Sequence, residues 1–226
     1  MAERITYVTN DGVTIVGNWV TSPTTIGAAI LLHQYPSTRQ SWSDVQRILA
    51  TRGIASVAID LRGHGESIKG PDGIQLDYQV FKDEEHASSI HDVRGAYEWI
   101  QARGIERDRI VAVGASMGAN LALNFLSEEP HMPAAAAISP GEEYHGVNTF
   151  ENAEYISPHQ SVWIVSSADD EKSYVASEQL DKMIVSEQKI FERIKEAGHG
   201  MDVFTKNPKL MEQMADWLRD RILNFT

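Results

Sequence analysis

The chain contains no cysteine among its 226 residues. That excludes disulfides, a thiolate metal site and a cysteine nucleophile. It also lacks an excess of positive charge. Phosphate backbones call for a basic surface, so with a formal net charge of -12 nucleic acid is not expected as a partner. No run approaches the roughly 18 consecutive apolar residues that a membrane span needs. The opening Met1-Ala2-Glu3-Arg4-Ile5 has no apolar core of signal-peptide length, so a cytoplasmic location is the expectation. Repeats and low-complexity tracts are also missing. His33, His86, His91, His131, His145 and His159 are scattered without metal-ligand spacing, and read as ordinary core or surface residues. Neither metal nor organic cofactor is expected.

What is present is an alternation of strands and helices. Ile5 to Val8 and Val13 to Val20 flank Asn10-Asp11-Gly12, a hairpin signal. Apolar runs follow at Ala28 to Leu32, Ile54 to Ile59, Arg109 to Val113, Ala134 to Ile138 and Val162 to Val165, and Gln188 to Ile194 alternates. Between them lie helical stretches: Ser41 to Thr51, His86 to Arg103, Ser116 to Leu126, Tyr174 to Ile184 and Pro208 to Leu223. In the second, Ile90, Val93, Tyr97 and Ile100 share one face. Strands covered by helices on both sides imply about eight strands in a mostly parallel sheet with an antiparallel N-terminal hairpin, in one domain spanning 1–226.

The strand ending at Val113 runs into Gly114-Ala115-Ser116-Met117-Gly118 and then a helix. A serine on such a turn stands above the sheet edge, where a base and a substrate carbonyl both reach it. Because a hydroxyl is a poor nucleophile near neutrality, it needs a base held by an acid. The base is expected at His199, between two glycines after the last strand. The acid is expected in Ser166-Ser167-Ala168-Asp169-Asp170-Glu171, with Asp170 favoured by its distance from the strand end and Asp169 as the alternate. The bland reading of these acids is a helix cap.

Four motifs in this order carry a family resemblance. They are Leu31-Leu32-His33 closing a strand, Asp60-Leu61-Arg62-Gly63-His64-Gly65-Glu66-Ser67, Gly114 to Gly118, and Ala197-Gly198-His199-Gly200. Together they resemble the α/β-hydrolases over essentially the whole chain, closest to small uncapped members similar to dienelactone hydrolases and carboxylesterases. The resemblance implies a three-layer α/β-hydrolase fold without a cap domain. It also implies an oxyanion hole formed by the backbone N–H groups of Tyr35 and Met117. Two departures stand out. Gln34 occupies a position where many members have glycine, placing a Cβ where close approach is otherwise free. Ser116 replaces the cysteine nucleophile of dienelactone hydrolases proper.

The expected activity is hydrolysis of small to medium acyl esters through an acyl-enzyme. A thioesterase or amide hydrolase is the alternative, and a non-catalytic ligand-binding protein of the same fold is the alternative of another class. The loop after Asp60 carries Ile74, Leu76, Tyr78, Val80 and Phe81. These residues either pack that loop onto the domain or, with Tyr35 and Trp42, line an acyl or alcohol pocket. The short stretch between the strands ending at Ile138 and starting at Val162 leaves Tyr144 to Glu154 as the only other roof.

Overall fold

Five strands are buried at every position: β3 (Gly27–Leu32), β4 (Ile54–Ile59), β5 (Ile110–Ala115), β6 (Ala134–Ile138) and β9 (Ser161–Ser167). In the computed structural model, which describes residues 2–225, they form the centre of an eight-stranded sheet ordered β1-β2-β4-β3-β5-β6-β9-β10. β1 (Glu3–Val8) and β2 (Thr14–Val20) form the antiparallel edge, paired from Glu3↔Trp19 to Val8↔Thr14. β2 joins β4 antiparallel, and from β4 onward every pairing is parallel. β10 (Gln188–Ile194) closes the far edge in register from Gln188↔Ser161 to Ile194↔Ser167.

Runs of Ala, Val, Ile and Leu with no polar face are stable only when helices cover both sides. One face packs against α3 (Ile90–Gln101), α4 (Met117–Glu128) and α6 (Glu171–Met183), forming a core that includes Ile30, Val57, Tyr97, Phe125 and Ile164. The other packs against α1 (Ser43–Thr51) and α8 (Lys209–Asn224), around Leu31, Val113, Trp163, Met214 and Leu218. This is the three-layer architecture expected from the alternation. Among the described residues no helix is long and apolar enough to cross a membrane.

Two expectations need correction. The helix expected from His86 to Arg103 is two helices, α2 (Asp83–Ala87) and α3, separated by Ser88 and Ser89. The Ser88 hydroxyl donates to Glu84 O at 2.7 Å, a local bond that competes with continuing the helix. Trp42 does not line a pocket: it is fully buried in the α1/α8 core, on the opposite side of the sheet from α4.

Between β6 and β9 there is no cap, only the two-residue strands β7 (Glu143–Tyr144) and β8 (Val147–Asn148), paired antiparallel, and α5 (Phe150–Ala153). α4 is buried on every side from Met117 to Leu126. Its two asparagines, one turn apart, receive this hairpin. Asn120 Nδ2 donates to Val147 O (2.8 Å) while its Oδ1 accepts from Gly141 N–H (3.0 Å), and Asn124 Nδ2 donates to Asn148 O (2.8 Å). Because the sheet is parallel, the loops after β3, β4, β5, β6, β9 and β10 all emerge at one edge, the edge where open α/β sheets bind ligands.

Candidate active site

Ser116 sits between β5 and α4 with φ 53° and ψ -120° and is 5% exposed. The turn is so tight that a Cβ on Gly114 would lie 1.9 Å from Gly118 O, and one on Gly118 would lie 2.2 Å from Leu32 O. Only glycine fits at either place. As the first residue of α4, Met117 has no acceptor for its N–H inside the helix. Tyr35 N–H has no acceptor among the described residues either.

The loop after β10 is held residue by residue. Asp169 Oδ1 accepts from Ala197 N–H (3.2 Å) and Gly198 N–H (3.0 Å). His199 Nδ1 lies 2.6 Å from Asp170 Oδ2. Gly200 N–H donates to Ser139 Oγ (2.9 Å), and Met201 N–H donates to Gln34 Oε1 (2.8 Å). The two neighbouring aspartates therefore do different things. Asp170 occupies the residue before α6, but its carboxylate makes no capping bond; only its carbonyl serves the helix, accepting from Tyr174 N–H at 2.9 Å. Asp169 is held at about 2, well below the usual carboxylate range, chiefly by the Ser167 hydroxyl and then by the Gly198 and Ala197 N–H groups.

Sequence reasoning missed Asp169 as a backbone anchor and Ser139 as a partner of Gly200. Ser139 takes φ 51°, uncommon outside glycine, asparagine and aspartate, and that was not visible in its residue type. Within the stretch expected as a roof, Tyr144 to Glu154, the Glu143–Asn148 hairpin places its tip against residues from both sides of the site. Tyr144 meets the His199 ring edge-on with centroids 5.8 Å apart, and His145 lies on Tyr35 at 4.1 Å.

Tyr35 is the centre of an aromatic cluster, with Tyr78 at 5.2 Å, His86 at 5.6 Å and His64 at 5.8 Å. Tyr78 stacks on His64 at 4.0 Å and both meet Tyr35, so this part of the loop after Asp60 packs onto the domain. Burial holds the histidines neutral: His33 is lowered to about 4, His64 to about 3 with help from His33, and His86 is lowered too. His33 therefore has fixed roles. Its Nδ1–H donates to Gln34 O (2.9 Å), and its Nε2 accepts from Leu61 N–H (3.0 Å).

The stretch from Asp60 to Ser67 is a structural clamp. Asp60 accepts from Arg39 N–H (2.8 Å), Glu66 N–H (2.9 Å) and the Arg39 guanidinium. Arg62 bridges Asp92 (2.8 Å) and Asp11 (2.7 Å). Among the described residues, no three His, Cys, Asp or Glu side chains are grouped to hold a metal ion.

No curated protein sequence matches the chain. Solved structures do. The α/β hydrolase GrgF from Penicillium sp. sh18 superposes with a TM-score of 0.82 at 15% identity, covering 99% of each chain. An esterase of Pyrococcus furiosus superposes with a TM-score of 0.76 at 17% identity, covering 98% of this chain and 90% of that one. A dienelactone hydrolase from Anabaena variabilis gives 0.72 at 16% identity, covering 100% and 98%. At such identities the likeness is one of fold. The family model described as alpha/beta hydrolase fold matches residues 28–199, and with this sheet order and elbow the chain belongs to the α/β-hydrolase fold family.

Proposed function

We propose that the protein is a serine hydrolase that cleaves small to medium carboxylic esters. In this reading Ser116 is the nucleophile, His199 the general base and acid, and Asp170 the orienting acid. The backbone N–H groups of Tyr35 and Met117 form the oxyanion hole. The observation that carries it is the 2.6 Å contact between Asp170 and His199 Nδ1, on the sheet edge where Ser116 stands at its strained turn. A carboxylate on Nδ1 keeps the proton there and leaves Nε2 free to take one from serine.

Ser116 Oγ attacks the ester carbonyl as its proton passes to His199 Nε2, and Asp170 stabilises the imidazolium. The carbonyl oxygen becomes an oxyanion facing Met117 N–H, at the positive end of α4, and Tyr35 N–H. Each such donor is typically worth about 3 kcal/mol. The tetrahedral intermediate collapses, the alcohol leaves with the proton from Nε2, and an acyl-serine remains. Water then attacks the acyl carbon with His199 again as base, releasing the acid and restoring Ser116.

The substrate class rests on the roof. Without a cap, the walls are the Tyr144–His145 tip and the Tyr35 cluster, which suit modestly apolar groups better than long chains. Esterases among the similar folds support the same bond type. The test is labelling with a fluorophosphonate probe beside a panel of nitrophenyl esters. Wild type should be labelled and most active on short acyl chains, and Ser116→Ala should be neither labelled nor active. Undiminished labelling of Ser116→Ala would sink the proposal.

A further inference from the structure

Gln34 departs from the family pattern, and its side chain has a specific partner. Its Oε1 accepts from Met201 N–H at 2.8 Å, joining positions 167 residues apart. A backbone N–H only donates, so the amide oxygen must be the atom that faces it. Gly200 lies against the same amide: with φ +59°, a Cβ there would come within 2.1 Å of Oε1. The contact is fitted from both sides. A glycine in the histidine loop makes the room that a long side chain in the oxyanion loop fills.

The geometry reaches the reacting groups directly. Gln34 C=O and Tyr35 N–H belong to one trans peptide and point in opposite directions. His33 Nδ1–H holds that carbonyl at 2.9 Å, fixing where the Tyr35 N–H points. The side chain of the same residue then reaches two positions past His199. His199 lies between Gly198 (φ 76°) and Gly200 (φ 59°), and 37% of its side chain is exposed. A glycine flanks the ring on each side, and Asp169 and Ser139 anchor those glycines to the ends of β9 and β6, not to the oxyanion loop.

We propose that Gln34 is a positioning residue that couples the two halves of the site, keeping the Tyr35 N–H and the His199 imidazole at a set separation. This rests on the serine-hydrolase reading above. Gln34→Met keeps the length of the side chain and removes the acceptor. Gln34→Ala removes the side chain beyond Cβ and replaces the first variant if that one does not fold.

Loss of one neutral hydrogen bond to the histidine loop corresponds to about a five- to tenfold effect. Either variant should lower kcat about tenfold on a short nitrophenyl ester, with KM within about twofold and Tm within about 3 °C of wild type. Binding of an alkyl boronic acid, which mimics the tetrahedral intermediate, should weaken by a similar factor. Unchanged kcat in folded variants overturns the coupling, provided the fluorophosphonate probe labels wild-type Ser116. A fall in Tm with kcat and KM changing together also overturns it, in favour of a purely structural role. Failure of wild type to be labelled is a separate result and overturns the reading on which the coupling depends.

Discussion

Asp169 and Asp170 are adjacent in sequence yet grip different parts of one loop: Asp169 takes the Ala197 and Gly198 backbone N–H groups, and Asp170 takes the His199 ring. The division makes a sharp kinetic expectation. Asp170→Asn should lower kcat by about 10³-fold or more, because the wrong imidazole tautomer is then favoured. Asp169→Asn keeps an oxygen for the backbone donors and should lower kcat by less than about tenfold. Steady-state kinetics on one ester compares the two, and the reverse ranking would move the orienting role to Asp169.

The elbow is expected to tolerate no side chain at its glycines. Gly114→Ala drives a methyl group into Gly118 O, and Gly118→Ala drives one into Leu32 O, both backbone atoms in a buried sheet. Each should destabilise by more than about 3 kcal/mol. Urea unfolding of the purified variants, or their failure to accumulate in soluble form, is the measurement. Midpoints near wild type would contradict the packing described.

Stability should fall with acid through the buried histidines. His64 is lowered from 6.5 to about 3 by burial, with His33 adding to it. Between those values the unfolded chain takes up a proton that the native protein refuses. The stability is therefore complete above about 6.5 and is lost as pH falls through the window, at about 1.4 kcal/mol per pH unit for the group. A second ring proton would sit on Nε2, a buried atom with no hydrogen-bond partner among the described residues. Denaturant titrations at pH 7, 6 and 5 should give a shallower dependence for His64→Phe than for wild type, by about that slope. Equal slopes would show that His64 is protonated in the native protein.

Asn120 serves the roof with both ends of its amide. Asn120→Ala leaves the Gly141 N–H and the Val147 carbonyl buried without their partner, and should lower stability by about 2–4 kcal/mol. Since the hairpin tip touches both His199 and Tyr35, ester hydrolysis should fall as well. Thermal melts with KM and kcat on two esters of different size would separate the two effects.

How far the residues alone revealed this arrangement depends on the physics at each place. The central strands were legible because all-apolar runs of this length allow little else, and the elbow because its two glycines bracket a serine. The α2–α3 break was hidden, since the apolar spacing of Ile90, Val93, Tyr97 and Ile100 says nothing about the serines ahead of it. Trp42 misled through closeness in sequence to Tyr35: the short helical turn before α1 carries it through to the other face of the sheet. Which of Asp169 and Asp170 meets the His199 ring is set by backbone direction in one tight turn, which composition does not reveal. Gln34 read as an obstacle because its matching space lies at Gly200, far along the chain.

The roof hairpin is secured to the helix beneath it through its main chain. Asn120 and Asn124 reach the Val147 and Asn148 carbonyls, and Thr149 donates to Gly141 O at 2.6 Å. Of the side chains, Glu143 accepts from Gly146 N–H at 3.4 Å and the Tyr144 ring packs against the core, while Gly146 itself is pinned by Asp83, whose Cβ would lie 2.6 Å from an added methyl. His145, at the tip, is the position that stands outside this anchoring, carried on a hairpin that is itself mounted on the helix following Ser116. Substitutions confined to that position should alter what packs against Tyr35 while the hairpin stays seated on its helix.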